Sequence, residues 1–503
     1  MKRKLILALM ATVVFTVSCN EDLLDRDNPN EFTPESFYKN GDQIVGAVNA
    51  AYTSMQSLDL FCREYFFLHD MRGDDVVSGG GQLETHRDQL LTGNHDASNG
   101  VVMQVWRGWY RLIHQTNQVI ENAPKATENV TDELKARVIA EAKFLRALAY
   151  FDLVTIWGGV PLMETYAKKI GEDLPRASED AVYALIISDL ENAVANLPVK
   201  ASYNASNIAR ANKEAAQNLL ARVYMQRGEY NKAEPLLASI IDGGAFNGWK
   251  TIPYLDNFRE ENEFNAESLF EVAFTEAFGG SIWDNTAQGT TAEVTFRGQE
   301  YGPNAWRNLI PSPSLMNEYE KEAKGDDKDD PRYNDSFYFI GDLYNEGTDT
   351  LENWGWKKYQ KIYKAPAEDV RSGINMRVMR YTEVLLNMAE VQNALGNDDD
   401  AIDYLNEVRS RVGVEMPPYP TANYPVNSSD EVFRAIVHER RVELAGEQIR
   451  NRDILRWRKL GKISTVIPEP IVYMDTKHLL APIPQMEINS NALLTEDDQN
   501  PGW

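Results

Sequence analysis

Apolar residues recur at spacings of three and four over long stretches of this chain, the period of one face of an α-helix. The clearest case ends in residues 141–162, EAKFLRALAYFDLVTIWGGVPL, where Val138, Ala142, Leu145, Ala149, Leu153 and Ile156 share a face. Gly158 and Gly159 stop that helix and Pro161 prevents it from resuming. The same period predicts helices over 101–123, over 131–157 and onward from Ser178, whose Ala181 replaces the Glu of a full capping box. A helix is also predicted from Thr33, with Pro34 in its first turn and a face of Ile44, Ala47, Ala51 and Met55. Residues 72–100 are rich in Gly, Asp and Asn, contain Gly79-Gly80-Gly81, and read as a long loop of the kind that carries function.

Two stretches repeat one theme. In 213–243, Leu220, Ala221, Tyr224, Gly228, Tyr230, Ala233, Leu237 and Ile240 fall on the tetratricopeptide pattern of paired helices. In 383–412, Met388, Ala389, Gly396, Ala401, Leu405 and Val408 occupy equivalent offsets. Such units are packing or docking surfaces. Between them, 246–375 loses the helical period and is rich in Gly, Asn, Asp and aromatics: Trp283, Phe296, Tyr301, Trp306, Tyr338, Tyr344, Trp354 and Trp356. The chain then returns to a charged amphipathic helix and its exit, 432–457, and ends in a Pro-rich tail, 479–503.

The N-terminus reads as a targeting segment. Lys2-Arg3-Lys4 precedes an apolar run, Leu5 to Val17, too short to span a bilayer. Thr16-Val17-Ser18-Cys19 resembles a bacterial lipobox, with Thr16 in place of the usual Leu. That resemblance implies a diacylated Cys19, anchored because buried acyl CH₂ groups contribute about 0.8 kcal/mol each. Asn20-Glu21-Asp22 is similar to the surface-export signal of Bacteroidetes lipoproteins. With Cys19 so used, Cys62 reads as an unpaired core thiol.

Composition narrows the function. The chain has 503 residues and a net charge of −25, which excludes nucleic acid as a partner and disfavours polyanionic ligands. A neutral ligand fits best. There is no G-x-S-x-G, H-E-x-x-H, P-loop or G-x-G-x-x-G, and no two of the six histidines stand at metal-ligand spacing, so no catalytic residue is assigned. Carboxylates are numerous enough that a glycosidase pair remains a third reading. The acidic runs Asp326-Asp327-Lys328-Asp329-Asp330 and Asp398-Asp399-Asp400 lack EF-hand spacing and read as solvated loops, so no cofactor is expected and a structural calcium has no support.

Four segments, in order, resemble the SusD/RagB family of surface nutrient-binding lipoproteins of Bacteroidetes. They are the lipobox, FLRALAYFDLVTIWGGVPL, and two closing motifs. The first closing motif is carried by Glu439, Arg440, Arg441, Glu443, Leu444, Glu447, Arg450, Asp453, Arg456 and Trp457, with Gln448 where the family has Gly. The second is Pro482-Ile483-Pro484, Glu487, Ile488 and Gln499-Asn500-Pro501-Gly502-Trp503. The resemblance implies a mainly α, SusD-like helical scaffold with tetratricopeptide-like helix pairs and a loop-rich insertion with little β structure. Its parts would be a leader (1–18), a lipidated tether (19–33), an N-terminal helical region (34–245), a ligand-binding insertion (246–375) and C-terminal helices with the closing motifs (376–503). It implies capture of an oligo- or polysaccharide at the outer membrane and delivery to a SusC-like TonB-dependent transporter. RagB-type members capture peptides, the alternative ligand.

Candidate binding residues follow from the chemistry of sugars. Trp and Tyr rings stack on the apolar face of a pyranose, while Asn, Asp and Arg take its hydroxyl rim. Trp283, Asp284 and Asn285, with Tyr301, Asn304, Trp306 and Arg307, offer both kinds of group; packing of a loop-rich region is the competing reading. Asp74 and Asp75 enter the long loop and either bond ligand hydroxyls or cap the next segment. Glu439, Arg440, Arg441, Arg450 and Asp453 read as a structural ion-pair network.

Overall fold

Helix Asp132–Trp157 is enclosed on all sides over its second half: every residue from Phe144 to Trp157 is buried. The sequence shows one apolar face; the structure, a computed structural model describing residues 37–81, 83–169, 171–277, 293–320, 329–462 and 476–503, also shows what covers the others. Helices Gly100–Asn122 and Glu179–Asn196 flank it. Its polar residues are matched inside: Arg146 forks onto Asp189 at 2.7 and 2.8 Å, and Asp152 accepts from Trp109 and Arg452. The Pro-rich tail closes its end, with Trp157 Nε1 donating to Pro482 O at 2.9 Å and Asn500 Nδ2 donating to Trp157 O at 2.9 Å. Two of the sequence motifs are thus halves of one packing unit.

From there the helices stack in series. Glu179–Asn196 packs on Lys213–Gln226, which pairs with Tyr230–Asp242 through the fully buried Ala221 and Ala233. Tyr230–Asp242 packs directly on Tyr381–Leu395, so the two repeats are neighbours although 246–375 separates them in sequence. Tyr381–Leu395 pairs with Asp398–Arg409 and leans on Ser429–Glu443. The strand Ser268–Val272, antiparallel to Met376–Arg380, joins the two ends of the intervening stretch. The remaining strands are two-residue pairings, and the protein is mainly α.

Several boundaries differ from the sequence reading. Within the described residues, the first long helix is Gly41–Met55, set by a capping box between Asn40 and Gln43; Thr33 and Pro34 lie outside them. The loop 72–100 contains a helix, Thr85–Leu91, and a strand, Val76–Val77, that pairs with Ile310–Pro311. Of the first acidic run, Asp326 to Lys328 lie outside the described residues, Asp329 is exposed and Asp330 is buried against Arg332; Asp398 to Asp400 form the first turn of a helix, where the dipole favours acids, and not a loop. Cys62 is buried and unpaired, its thiol pushed up to about 12 by burial. Trp356 and Phe296, expected on loops, are core.

The stretch 432–457 is two helices, Ser429–Glu443 and Arg450–Lys459. Between them, Gly446 has φ +71°, and a Cβ there would lie 2.9 Å from Cζ3 of Trp356. Gly446→Ala is therefore expected to lower stability by at least about 1–2 kcal/mol, the left-handed backbone penalty alone, read as a lower urea midpoint. Gln448, also left-handed at φ +59°, recovers its strain through its amide, which donates to Asp70 Oδ2 at 2.8 Å.

The closing motif is a buried ionic network. Glu443 receives Arg332 at 2.9 Å, Arg380 at 2.8 Å and Arg411 at 2.9 Å; Glu439 receives Arg409 at 3.1 Å; Asp453 receives Arg440 at 2.8 Å. Because Arg332 comes from the stretch 246–375 and Arg380 follows it, the network fastens that stretch to the C-terminal helices. His438 sits at the edge of this network, 2.8 Å from Glu318, stacked on Tyr424 and facing Glu320 and Glu439. Burial opposes its charge, but the hydrogen bond with Glu318 and the nearby carboxylates of Glu320 and Glu439 prevail and raise it to about 9. A histidine with a raised folded pKa stabilises fully below its unfolded value of 6.5 and loses this as pH rises through about 9. The stability difference between wild type and His438→Gln should thus be on the order of 3 kcal/mol at pH 6 and shrink toward zero by pH 10, measured by urea titration.

Candidate saccharide platform

The sequence after the undescribed residues 278–292 builds the best-formed candidate site. The two sides of that segment meet where Thr275 N donates to Glu293 O at 2.7 Å, and Phe296 N donates to Cys62 O at 3.0 Å. The short helix Arg297–Tyr301 then turns back: Trp306 N donates to Gln299 O at 3.0 Å and Asn308 N to Glu300 O at 2.8 Å, holding 302–307 outward as a compact bend. Arg307 takes φ +55° and its carbonyl accepts from Gly79 N at 3.1 Å. A Cβ on Gly79 would come within 2.4 Å of Ile310, so glycine is required for the loop 72–81 to lie against this bend. The early loop and the insertion meet here, at Trp306.

The Trp306 ring is half-buried. Phe296 meets it edge-on at 6.4 Å, and the Arg63 guanidinium lies 5.9 Å from its centroid. Its Nε1 donates to the Gln299 side chain at 3.1 Å in the amide orientation that satisfies both groups. Beside it, Asn304 Oδ1 and Arg307 Nε are buried atoms that make no hydrogen bond among the described residues, while Arg307 Nη1 donates to Asn353 at 3.2 Å. The partly exposed ring can take the apolar face of a sugar, with the half-buried Asn304 and Arg307 side chains at its edge.

Other residues named from sequence go elsewhere. Tyr301 is fully buried; its hydroxyl donates to Asp70 at 2.7 Å and its ring packs on Phe66 and Phe67, so it braces the bend from below and offers no face to a ligand. Asp74 is bound by Arg450 at 2.8 Å and Arg441 at 3.1 Å, and Asp75 by Arg441 at 2.9 Å. Both carboxylates are spent inside the fold, tying the early loop to the closing motif; they are structural, and burial with the neighbouring Asp74 charge pushes Asp75 up to about 6 despite Arg441. Trp283, Asp284, Asn285 and Cys19 lie outside the described residues. Sequence reasoning missed Phe296 and Gln299 as supports of Trp306 and Asn353 as the partner of Arg307; the Gly79-Gly80-Gly81 run, read only as a loop, is the local signal for the close backbone approach.

A cavity of about 290 Å³ between helix Gly41–Met55 and strand Ser268–Val272 is lined by Met55, Phe270 and Val272. Its Arg210 is already spent on Glu141, Asn207 and Asn49, leaving little to direct a ligand. Among the described residues no group of three or more His, Cys, Asp and Glu side chains could hold a metal ion, and no helix is long and apolar enough to cross a membrane.

Residues 266–503 match the family described as the SusD family, and residues 24–225 match the family described as starch-binding and associating with the outer membrane. The SusD-like protein P2 of Formosa agariphila is 27% identical with all of both chains covered. A SusD superfamily protein of Bacteroides vulgatus superposes with a TM-score of 0.76 at 23% identity, covering 93% of this chain and all of that one. A laminarin-binding SusD-like protein superposes with a TM-score of 0.74 at 25% identity, again covering 93% of this chain and all of that one. This chain belongs to the SusD/RagB family.

Proposed function

We propose that the protein captures an extracellular oligo- or polysaccharide, neutral and glucan-like, at the cell surface. It is held in the outer membrane by lipid on Cys19 and hands the ligand to a SusC-like TonB-dependent transporter. The observation that carries this reading is the half-buried Trp306 ring flanked by the half-buried Asn304 and Arg307 side chains, next to the base of the segment that bears Trp283, Asp284 and Asn285. Support comes from the laminarin-binding relative and from the net charge of −25, which favours an uncharged ligand. The ligand leaves chemically unchanged.

The test is native affinity electrophoresis of residues 20–503 through gels containing laminarin, starch or xyloglucan, with peptides titrated in parallel by calorimetry. Retardation by one neutral glucan, with no new reducing ends after long incubation, is the expected result. Heat from peptides and free migration in every glycan gel would replace glycan capture by peptide capture, and released sugar would make the protein a hydrolase.

A further inference from the structure

The stretch 334–363 forms a second, more open cleft, of about 620 Å³, beside the hairpin Leu343–Tyr344/Asp349–Thr350. It shares no lining residue with the surroundings of Trp306. Three tyrosines, Tyr338, Tyr344 and Tyr363, line it. Tyr338 is buried and braces the half-exposed Tyr344, with Leu351 and Ile362 behind them. Tyr363 is covered on one face by the Arg259 guanidinium, 4.6 Å from its ring centroid. That guanidinium donates no hydrogen bond to any described residue, so its planar fork is held by stacking while its N–H groups stay unspent. Lys357 gives one N–H to Asn334 O at 3.0 Å, and Asp342 accepts one backbone N–H at 2.8 Å, which leaves each with capacity facing the cleft. Ile340 and Leu343, 69% and 64% exposed, extend the apolar rim.

An anion site would present donors alone. Here donors (Arg259, Lys357) and an acceptor (Asp342) surround aromatic faces, and hydroxyls both donate and accept. We propose that this cleft is a second saccharide-binding site, with Tyr344 as the stacking platform and Arg259 as the donor to ring hydroxyls. It rests on the reading of the protein as a glycan binder. The chain leaving the hairpin meets the first site at Asn353, which accepts from Arg307 Nη1 at 3.2 Å, and a polymer long enough to engage both sites gains from the tether.

The test compares wild type, Trp306→Ala and the double variant Tyr344→Ala/Arg259→Ala of residues 20–503, titrated with laminarihexaose and maltohexaose and run in laminarin and starch gels. Both changes lie at a half-exposed surface, and circular dichroism confirms the fold. The double variant is expected to bind a hexaose with one site fewer than wild type, and to bind the polymer about tenfold more weakly. If it keeps wild-type stoichiometry and retardation while Trp306→Ala loses them, the second site is wrong and glycan capture stands. If wild type binds no saccharide, both fall together.

Discussion

Glu443→Ala should destabilise the protein by roughly 3–5 kcal/mol, the range for removing one partner of a buried ionic group. Glu443 is fully buried and bridges Arg332, Arg380 and Arg411. Taking it away leaves three guanidinium groups with one counter-charge fewer in a place water does not reach. Glu443→Gln keeps the volume and removes only the charge, so a similar loss in that variant assigns the effect to charge and not to a cavity. Burial opposes ionisation of this carboxyl, yet Arg380, Arg411 and Arg332 hold it well below the usual range. Its contribution is therefore present above the unfolded value of 4.5 and is lost as pH falls through the depressed folded value. Wild type should show a steeper acid limb in its urea midpoint than either variant, in which Glu439, Glu267 and Asp453 still contribute. Midpoints equal to wild type across this range would mean that the network is not holding 246–375 to the C-terminal helices.

Trp306→Ala should weaken glycan binding about tenfold or more while leaving the urea midpoint near that of wild type. The ring is half-buried, and its packing partners Phe296 and Gln299 are held by their own backbone bonds, so its loss opens little core. What it removes is the apolar face a sugar would cover, worth about 1–1.5 kcal/mol for an aromatic contact and more once water is excluded. Trp306→Phe should restore part of the affinity. Asn304→Ala should act through rim bonds and cost less. Unchanged retardation in Trp306→Ala would move the site away from this bend, whatever the ligand.

The two halves of the candidate site were unequally legible. Trp306, Asn304 and Arg307 stood out because a Trp in a Gly/Asn-rich stretch has no helical face to join. Tyr301, five residues earlier in the same stretch, looked alike and is core, because the short helix Arg297–Tyr301 turns it inward onto Asp70. Asp74 and Asp75 read as either ligand-bonding or capping residues, and their ion-pair role stayed hidden because their partners, Arg441 and Arg450, are more than 360 residues away.

The local rules of the sequence determined most of the scaffold. Period, caps and glycine stops settle helices such as Gly100–Asn122, Asp132–Trp157, Glu179–Asn196 and the two repeat pairs, since each depends on residues within a few turns of one another. The charged closing motif was legible as structural for another reason: it resembles a motif common to the family, whose ligands differ from member to member. Tertiary structure alone decided which partners those are, which aromatics of 246–375 are core, and where the early loop meets the Trp306 bend. These outcomes depend on burial and on charges brought together from distant parts of the chain, and no local pattern encodes which distant segment supplies them.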